Sequence, residues 1–195
     1  LYGLGCEADD LPGFVLIGAA AEGGSKTSTS AFLPQAFAGS RLGDIQPGRG
    51  GLPIPHVRPA LPPVAQRRQF DLIQSMNRDL SETLGTNDEV DAMIAGLERG
   101  FRMQTGVPRT FDLSSESPRT LALYGLDKNM TGSPLAMKLL ASRRMLESGV
   151  RFIEIINNGW DHHDGIIKRV RENAQGVDAP IAAFLTDLKQ RGLLD

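Results

Sequence analysis

The chain has a single cysteine, nearly balanced charge and no long apolar run, and each shortage excludes a class of protein. Cys6 is the only cysteine in 195 residues, so no intrachain disulfide can form; near the chain end, a small apolar packing role is favoured over a nucleophile. Basic and acidic residues number 21 and 23, for a net charge of −2, which is unlike the basic surface of a nucleic-acid-binding protein. The longest run of apolar residues and glycine, 13–21, is much shorter than the about 20 residues of a membrane span.

Arginine pairs occur at 67–68 and 143–144. Because the pairs are isolated from other basic residues, we interpret both as solvated helix faces and not as phosphate-binding stripes. The composition therefore predicts neither a nucleic-acid partner nor a membrane span, and it leaves the oligomeric state open.

The two ends of the chain and its long loop bear on domain organisation. The chain begins at Leu1 without a signal peptide and stops after Gly192, where we expect a further strand. We interpret residues 1–195 as an internal part of a single domain. Residues 18–63 are rich in Gly, Pro, Ala and Ser, which predicts a long loop that serves either as a linker or as a lid or edge covering. His56 is interpreted as an ordinary residue of this loop.

Periodic apolar residues predict a strand at 14–17 and three helices. The first helix covers about 65–84, the second opens with a capping box at 86–89, and the third runs from the N-cap Ser133 to Ser148, with Gly149 as its stop. Their apolar stripes are predicted to face the core. The stripes are Leu72, Ile73, Met76, Leu80 and Leu84; Val90, Met93, Ile94, Leu97 and Phe101; and Leu135, Leu139, Leu140 and Leu146.

The last part of the chain alternates helix, strand and helix. Residues 150–156 form a nearly continuous apolar run, which predicts a central strand buried on both faces. A helix follows from about Ile166, is interrupted near Pro180 by a new N-cap or a kink, and ends at Gly192. This alternation predicts an α/β fold, a layered sandwich with a mostly parallel sheet flanked by helices. A helical or exposed edge position for 150–156 would count against it.

The clearest candidate site follows the strand predicted at 150–156. Asn157-Asn158-Gly159 is a turn sequence, and Trp160, Asp161, His162 and His163 come directly after it. Ligands bind at the carboxyl ends of strands in open α/β sheets, and carboxylate and imidazole are metal ligands. The alternative is a surface turn with a capping aspartate. The spacing of two between Asp161 and His163 allows both side chains to point the same way.

The neighbours of this pair and two further polar groups are also candidate site residues. His162 is either a hydrogen-bonding or substrate-binding residue or, slightly favoured, a solvent-facing ring; Trp160 is interpreted as a packing residue. The further groups are Glu7, Asp9 and Asp10 before the first strand, and Asp112, Ser114 and Glu116 in FDLSSES. Solvated turns, caps and local hydrogen bonds are the favoured interpretation of both, although carboxylates bind hard metals and serine is a nucleophile where a base assists it.

Several segments in a fixed order resemble the family called domain of unknown function 1501, a sulfatase-like branch of the alkaline phosphatase superfamily. They are LYGLGCEADDLPGFVLI, FLPQAFAGSRL, QRRQFDLI, FRMQ with FDLSSE, LLASRRMLESGVRFIEI, GWDHH and DAPIAAFLTDLKQRGLLD. They are spread over nearly the whole chain. Each is weak alone, and their order makes the resemblance specific.

The resemblance implies a mixed sheet sandwiched by helices and a metal-dependent hydrolase site. The family motif Trp-Asp-x-His falls on Trp160, Asp161 and His163, which implies that Asp161 and His163 are ligands of a divalent ion, with zinc favoured. The superfamily site also needs residues near the family's N-terminus and a glutamate motif beyond the next strand, and we expect both to lie outside this chain. The nucleophile and other catalytic residues therefore stay unassigned.

The function implied is a metal-dependent hydrolase of phosphate or sulfate esters, acting on a small-molecule or glycan ester. The resemblance also suggests an exported or periplasmic protein. The alternatives are a non-catalytic exported protein that keeps the fold and one structural ion, and an inactive truncated product. Because the chain offers at most two ligands, we expect no hydrolase activity from it alone.

Overall fold

The sheet and its helices lie within the residues that the structure describes. The computed structural model describes residues 3, 5–8, 11–18, 33, 37–43, 61–84, 94, 96–98, 100–103, 110 and 112–194. Within them the chain is mixed α/β, with a small parallel sheet and flanking helices. No helix in these ranges is both long and apolar enough to cross a membrane.

The three strands of the described sheet are all parallel. Strand β1 (Phe14–Ile17) lies between β2 (Ser40–Leu42) and β3 (Phe152–Ile155). The register pairs Val15 with Ser40 and with Ile153. Strand β1 was predicted as a strand and is confirmed. Strand β2 lies inside the predicted loop at 18–63, most of which, His56 included, is outside the described residues.

The predicted central position of the segment 150–156 is wrong for the described sheet. Strand β3 pairs there only with β1, and its side chains are half-buried or exposed. The reason is visible in the sequence, because Arg151 and Glu154 interrupt the apolar run and both are exposed. Strand β1, buried from Val15 to Ile17, takes the central place. The edge position of β3 counts against the predicted layering, whereas the parallel pairing of β1 with both of its neighbours establishes a small parallel sheet with helices.

Among the described residues, five helical segments with defined bounds accompany the sheet. They are α1 (Pro63–Leu84), a 3₁₀ turn (Leu113–Ser115), α2 (Pro118–Leu123), α3 (Pro134–Glu147) and α4 (Ile166–Arg191). Residues 94, 96–98 and 100–103 are also helical, whereas the capping box predicted at 86–89 is outside the described residues. Helix α3 packs against both β3 and α4.

Helix α3 is the centre of the core. It follows Ser133 with Pro134 at its first turn and ends at Ser148 and Gly149, as predicted. Its middle is buried nearly all round, and this includes the polar residues Lys138 and Ser142. The best-buried apolar side chains come from α3, from β1 and from the residue after Gly149: Val15, Leu16, Ile17, Met137, Leu140, Met145 and Val150.

The predicted core stripe of α1 is wrong. Leu72, Met76 and Leu80 are 61, 63 and 50% exposed. The helix makes its described aromatic contact through Phe70, whose ring stacks on Phe101 with centroids 4.9 Å apart. Periodicity identifies the apolar face of a helix, but it does not determine what covers that face.

Helix α4 runs without interruption through Pro180. The interpretation of residues 178–180 as a new N-cap is therefore wrong. Proline lacks the N–H that would bond to the carbonyl of residue 176, and Gly176 is exposed, so water can bind that carbonyl. The helix ends at Gly192, which has a positive φ of 68°, and Leu193 N–H donates to Leu188 O at 2.9 Å. The predicted stop is confirmed.

Candidate functional site

The turn between β3 and α4 carries the candidate ligands. Ile156 N–H donates to Ile17 O at 2.9 Å, so the chain stays aligned with β1 up to the end of the strand. Gly159 then has a φ of +95°, a left-handed conformation that glycine adopts without steric cost. Gly165, with a φ of 60°, precedes the first residue of α4. The sequence thus places residues 160–164 beyond the carboxyl end of a parallel strand, where ligands bind in α/β sheets.

Asp161 and His163 face each other across this turn. The distance between His163 Nε2 and Asp161 Oδ1 is 3.2 Å, and the side chains are 85 and 89% exposed. The predicted convergence is present, but on the surface and not in a cavity. His163 also borders an open depression whose wall includes Ile166, Ile167 and Arg171.

The spacing of the pair fits two ligands of one small ion. Two donors that each lie about 2.1 Å from a tetrahedral zinc are about 3.4 Å apart, close to the 3.2 Å between the two atoms here. A protein zinc site has at least three protein ligands. The described residues contain no group of three or more His, Cys, Asp or Glu side chains placed to hold a metal. The pair therefore fits half of a site.

His162 is held by α4 and does not simply face solvent. It is half-buried, and its Nε2 lies 3.1 Å from Asn173 Nδ2. The same Asn173 nitrogen donates to Gly159 O. The slightly favoured interpretation of His162 as a solvent-facing ring is thus wrong. Trp160, interpreted as a packing residue, is 47% exposed.

The other candidate groups form local or structural contacts. Glu7 pairs with Arg151, while Asp9 and Asp10 lie outside the described residues. Asp112 caps the 3₁₀ turn and accepts a hydrogen bond from Ser114 N at 3.2 Å. The capping interpretation of Asp112 and Ser114 is confirmed.

Glu116 belongs to a buried charge network centred on Arg143. The Arg143 guanidinium is 2% exposed and lies 2.7 Å from Glu116 Oε2 and 2.6 Å from Glu147 Oε2. Its Nε donates to Asp187 Oδ2 at 3.1 Å. The interpretation of the pair 143–144 as a solvated helix face is therefore wrong, because three carboxylates surround Arg143 and two of them are remote in sequence. Arg144 also pairs with Glu116, at 2.5 Å.

Two further groups complete the network. Tyr124 donates its hydroxyl hydrogen to Asp187 Oδ2 at 3.1 Å, and Arg191 bridges Asp187 and Glu147, each at 2.7 Å. Burial and the charge of Asp187 raise the pKa of Tyr124. Every buried charge here has a partner of opposite sign, so we assign the network to the folded core and not to a reaction.

The whole chain is similar to one protein family. The family described as "Protein of unknown function (DUF1501)" matches residues 1–195. The chain belongs to the DUF1501 family. No curated protein and no solved structure matches it. The DUF1501 description names no activity, so the family alone assigns no reaction to the chain.

Four of the segments that resemble DUF1501 fall into two structural classes. FDLSSE supplies Glu116, LLASRRMLE supplies Arg143, and TDLKQRG supplies Asp187, so these three segments build the buried network. GWDHH instead presents exposed donors at a strand end. Sequence reasoning missed the network and Asn173, because both depend on contacts between distant segments.

Proposed function

We propose that the chain is part of a metal-dependent hydrolase of phosphate or sulfate esters, of the sulfatase-like kind, in which Asp161 and His163 bind one divalent ion. The observation that carries the proposal is the 3.2 Å approach of Asp161 Oδ1 and His163 Nε2 just beyond the carboxyl end of β3. Zinc is the favoured ion, since it binds oxygen and imidazole nitrogen together.

The chemistry would be divided between the ion and the chain. A bound divalent ion supplies Lewis acidity, which polarises an ester oxygen and lowers the pKa of a water or hydroxyl nucleophile. Asp161 would contribute negative charge and His163 a neutral imidazole nitrogen, and β3 with Gly159 would orient both. At least one more ligand and the nucleophile would have to come from outside the described residues. Because the pair is exposed, its open approach would suit a small-molecule or glycan ester.

A second proposal is a non-catalytic protein that keeps the fold and binds one ion without reaction. The high exposure of both donors favours it, since a hydrolase generally excludes water around its reacting centre. A truncated product without activity is the third possibility. Ion binding distinguishes the hydrolase and the non-catalytic ion-binding protein from the truncated product. Turnover of an ester by the whole protein distinguishes the hydrolase from the non-catalytic protein.

The metal proposal is tested by titrating zinc into the chain and following the histidine ring signals by NMR. We expect the His163 signals to shift with zinc, and the shift to disappear in Asp161→Asn and His163→Ala. His162→Ala should weaken binding less. Zinc affinity that is equal in wild type and His163→Ala would refute the ligand assignment.

The hydrolase proposal has its own test. We expect the 195-residue chain to hydrolyse neither an aryl phosphate nor an aryl sulfate, because two donors do not make a complete site. A protein that includes this chain and supplies the further ligand and the nucleophile should hydrolyse one of them and lose activity with a chelator. Turnover by the 195-residue chain that a chelator leaves unchanged would contradict the proposal.

A further inference from the structure

One side chain of α4, Asn173, holds the turn that carries Asp161 and His163. Its Nδ2 is within hydrogen-bond distance of Gly159 O and lies 3.1 Å from His162 Nε2. The turn therefore has an attachment to α4 on each side of Asp161. Both Asn173 and His162 are half-buried, so the contact is only partly open to competing water.

The hydrogen-bond partners of Asn173 determine which atom of its side-chain amide faces the turn. A backbone carbonyl only accepts hydrogen bonds, so the group that faces Gly159 O must be the amide nitrogen of Asn173. That nitrogen has a second hydrogen, and His162 Nε2 lies 3.1 Å from the same nitrogen. For Nε2 to accept this hydrogen it must carry no proton itself. A neutral His162 then carries its proton on Nδ1.

We infer that Asn173 is a positioning residue, which fixes His162 in the Nδ1-protonated tautomer and so holds Asp161 and His163 in one orientation. His162 Nε2 is then occupied by the amide, and His163 is the histidine whose Nε2 meets a carboxylate. The part of the inference that concerns zinc rests on the proposed function; the part that concerns the tautomer does not.

Gly159 supports this arrangement. A side-chain carbon built there would lie 3.9 Å from Asn173 Nδ2 and close to no other non-neighbouring atom. Among the atoms outside the turn, the amide is therefore the one that comes within ordinary contact distance of this position. Residues that orient ligands without touching the ion change metal affinity by about 10–100-fold when they are removed.

The tautomer is tested first, in the wild-type chain without metal. Nitrogen-15 NMR of the imidazole ring at neutral pH should show His162 with a bare Nε2 and a protonated Nδ1. Asn173→Ala removes both hydrogen bonds, and Asn173→Asp removes both donors at nearly the same size; each should change the His162 tautomer ratio. The control, Gln190→Ala, deletes an exposed amide near the other end of α4 and should leave His162 unchanged. Wild-type His162 protonated on Nε2 would overturn the inference.

Zinc affinity is measured next on the same variants. Asn173→Ala should weaken zinc binding at His163 by up to about tenfold, and Gln190→Ala should not. If wild type binds zinc and Asn173→Ala binds it equally well, the positioning role is overturned. If wild type shows the expected tautomer but no zinc-dependent shift at His163, the metal proposal fails while the contact between Asn173 and His162 stands.

Discussion

The network around Arg143 and the pair Asp161–His163 use the same kinds of groups in opposite surroundings. Around Arg143, Glu116 and Asp187 have side chains only 6 and 5% exposed, whereas Asp161 and His163 are almost fully in water. Burying a charge is costly unless an opposite charge compensates it. Balanced burial therefore marks the network as structural, and the exposed pair keeps its donor atoms accessible to a ligand.

The largest expected effect is the loss of the central charge. Arg143→Met keeps much of the volume but leaves Glu116 and Asp187 buried without their main partner, and we expect a loss of about 3–5 kcal/mol in the free energy of unfolding. Urea denaturation measures it. The control is Lys168→Met, which breaks the Lys168–Glu172 pair on an exposed face of α4 and should cost less than about 1 kcal/mol.

The next largest effect compares two glycines with similar backbone angles. Gly149, beside the network, has a φ of 86°, and a side-chain carbon there would lie 2.9 Å from Ala8 N. Gly159, in the exposed turn, has a φ of 95° and open space around it. Both alanine variants carry backbone strain of about 1–3 kcal/mol. Gly149→Ala should be clearly the less stable of the two in thermal denaturation; equal stabilities would contradict the close packing at Gly149.

Acid should weaken the network through Glu116. Burial raises the pKa of Glu116, but hydrogen bonds and charge from Arg143 and Arg144 outweigh this, and its pKa is lowered overall. A carboxyl with a lowered folded pKa stabilises the fold above its unfolded pKa, about 4.3 for glutamate, and loses this contribution as the pH falls towards the folded value.

The measurement compares stability between about pH 6 and pH 3. Glu116→Gln should be less stable than wild type near pH 6 and should lose less stability on acidification. A Glu116→Gln variant whose stability falls as steeply as that of wild type would show that this carboxyl does not carry the acid sensitivity.

The smallest expected effect is on the turn itself. Asp161→Asn and His163→Ala should each change the free energy of unfolding by less than about 0.5 kcal/mol in the absence of metal, because exposed ion pairs contribute little. Chemical denaturation with chelator present measures this. A loss of several kcal/mol would show that the pair is structural and would weaken the contrast between the two regions.

Local signals allowed the sequence to predict much of the fold. The apolar run of β1, the Ser133-Pro134 start of α3 and the glycine stops at 149 and 192 are encoded in neighbouring residues, and each is found. The approach of Asp161 and His163 follows from a turn between adjacent elements. Contacts between distant segments were beyond such reasoning: Asp187 is 44 residues from Arg143, and nothing near Leu72 or Met76 indicates that this face of α1 stays exposed.

Because α4 is continuous, its helical twist sets the direction of the side chain that holds the turn relative to the side chain that enters the network. Fourteen residues separate Asn173, which holds the turn, from Asp187, which neutralises Arg143. This separation is about 3.9 helical turns, so the two side chains leave nearly the same side of one rod. Deleting a single residue between them would rotate one end by about 100° relative to the other. Either the turn or the network would then lose its partner, although every contacting residue would still be present in the sequence.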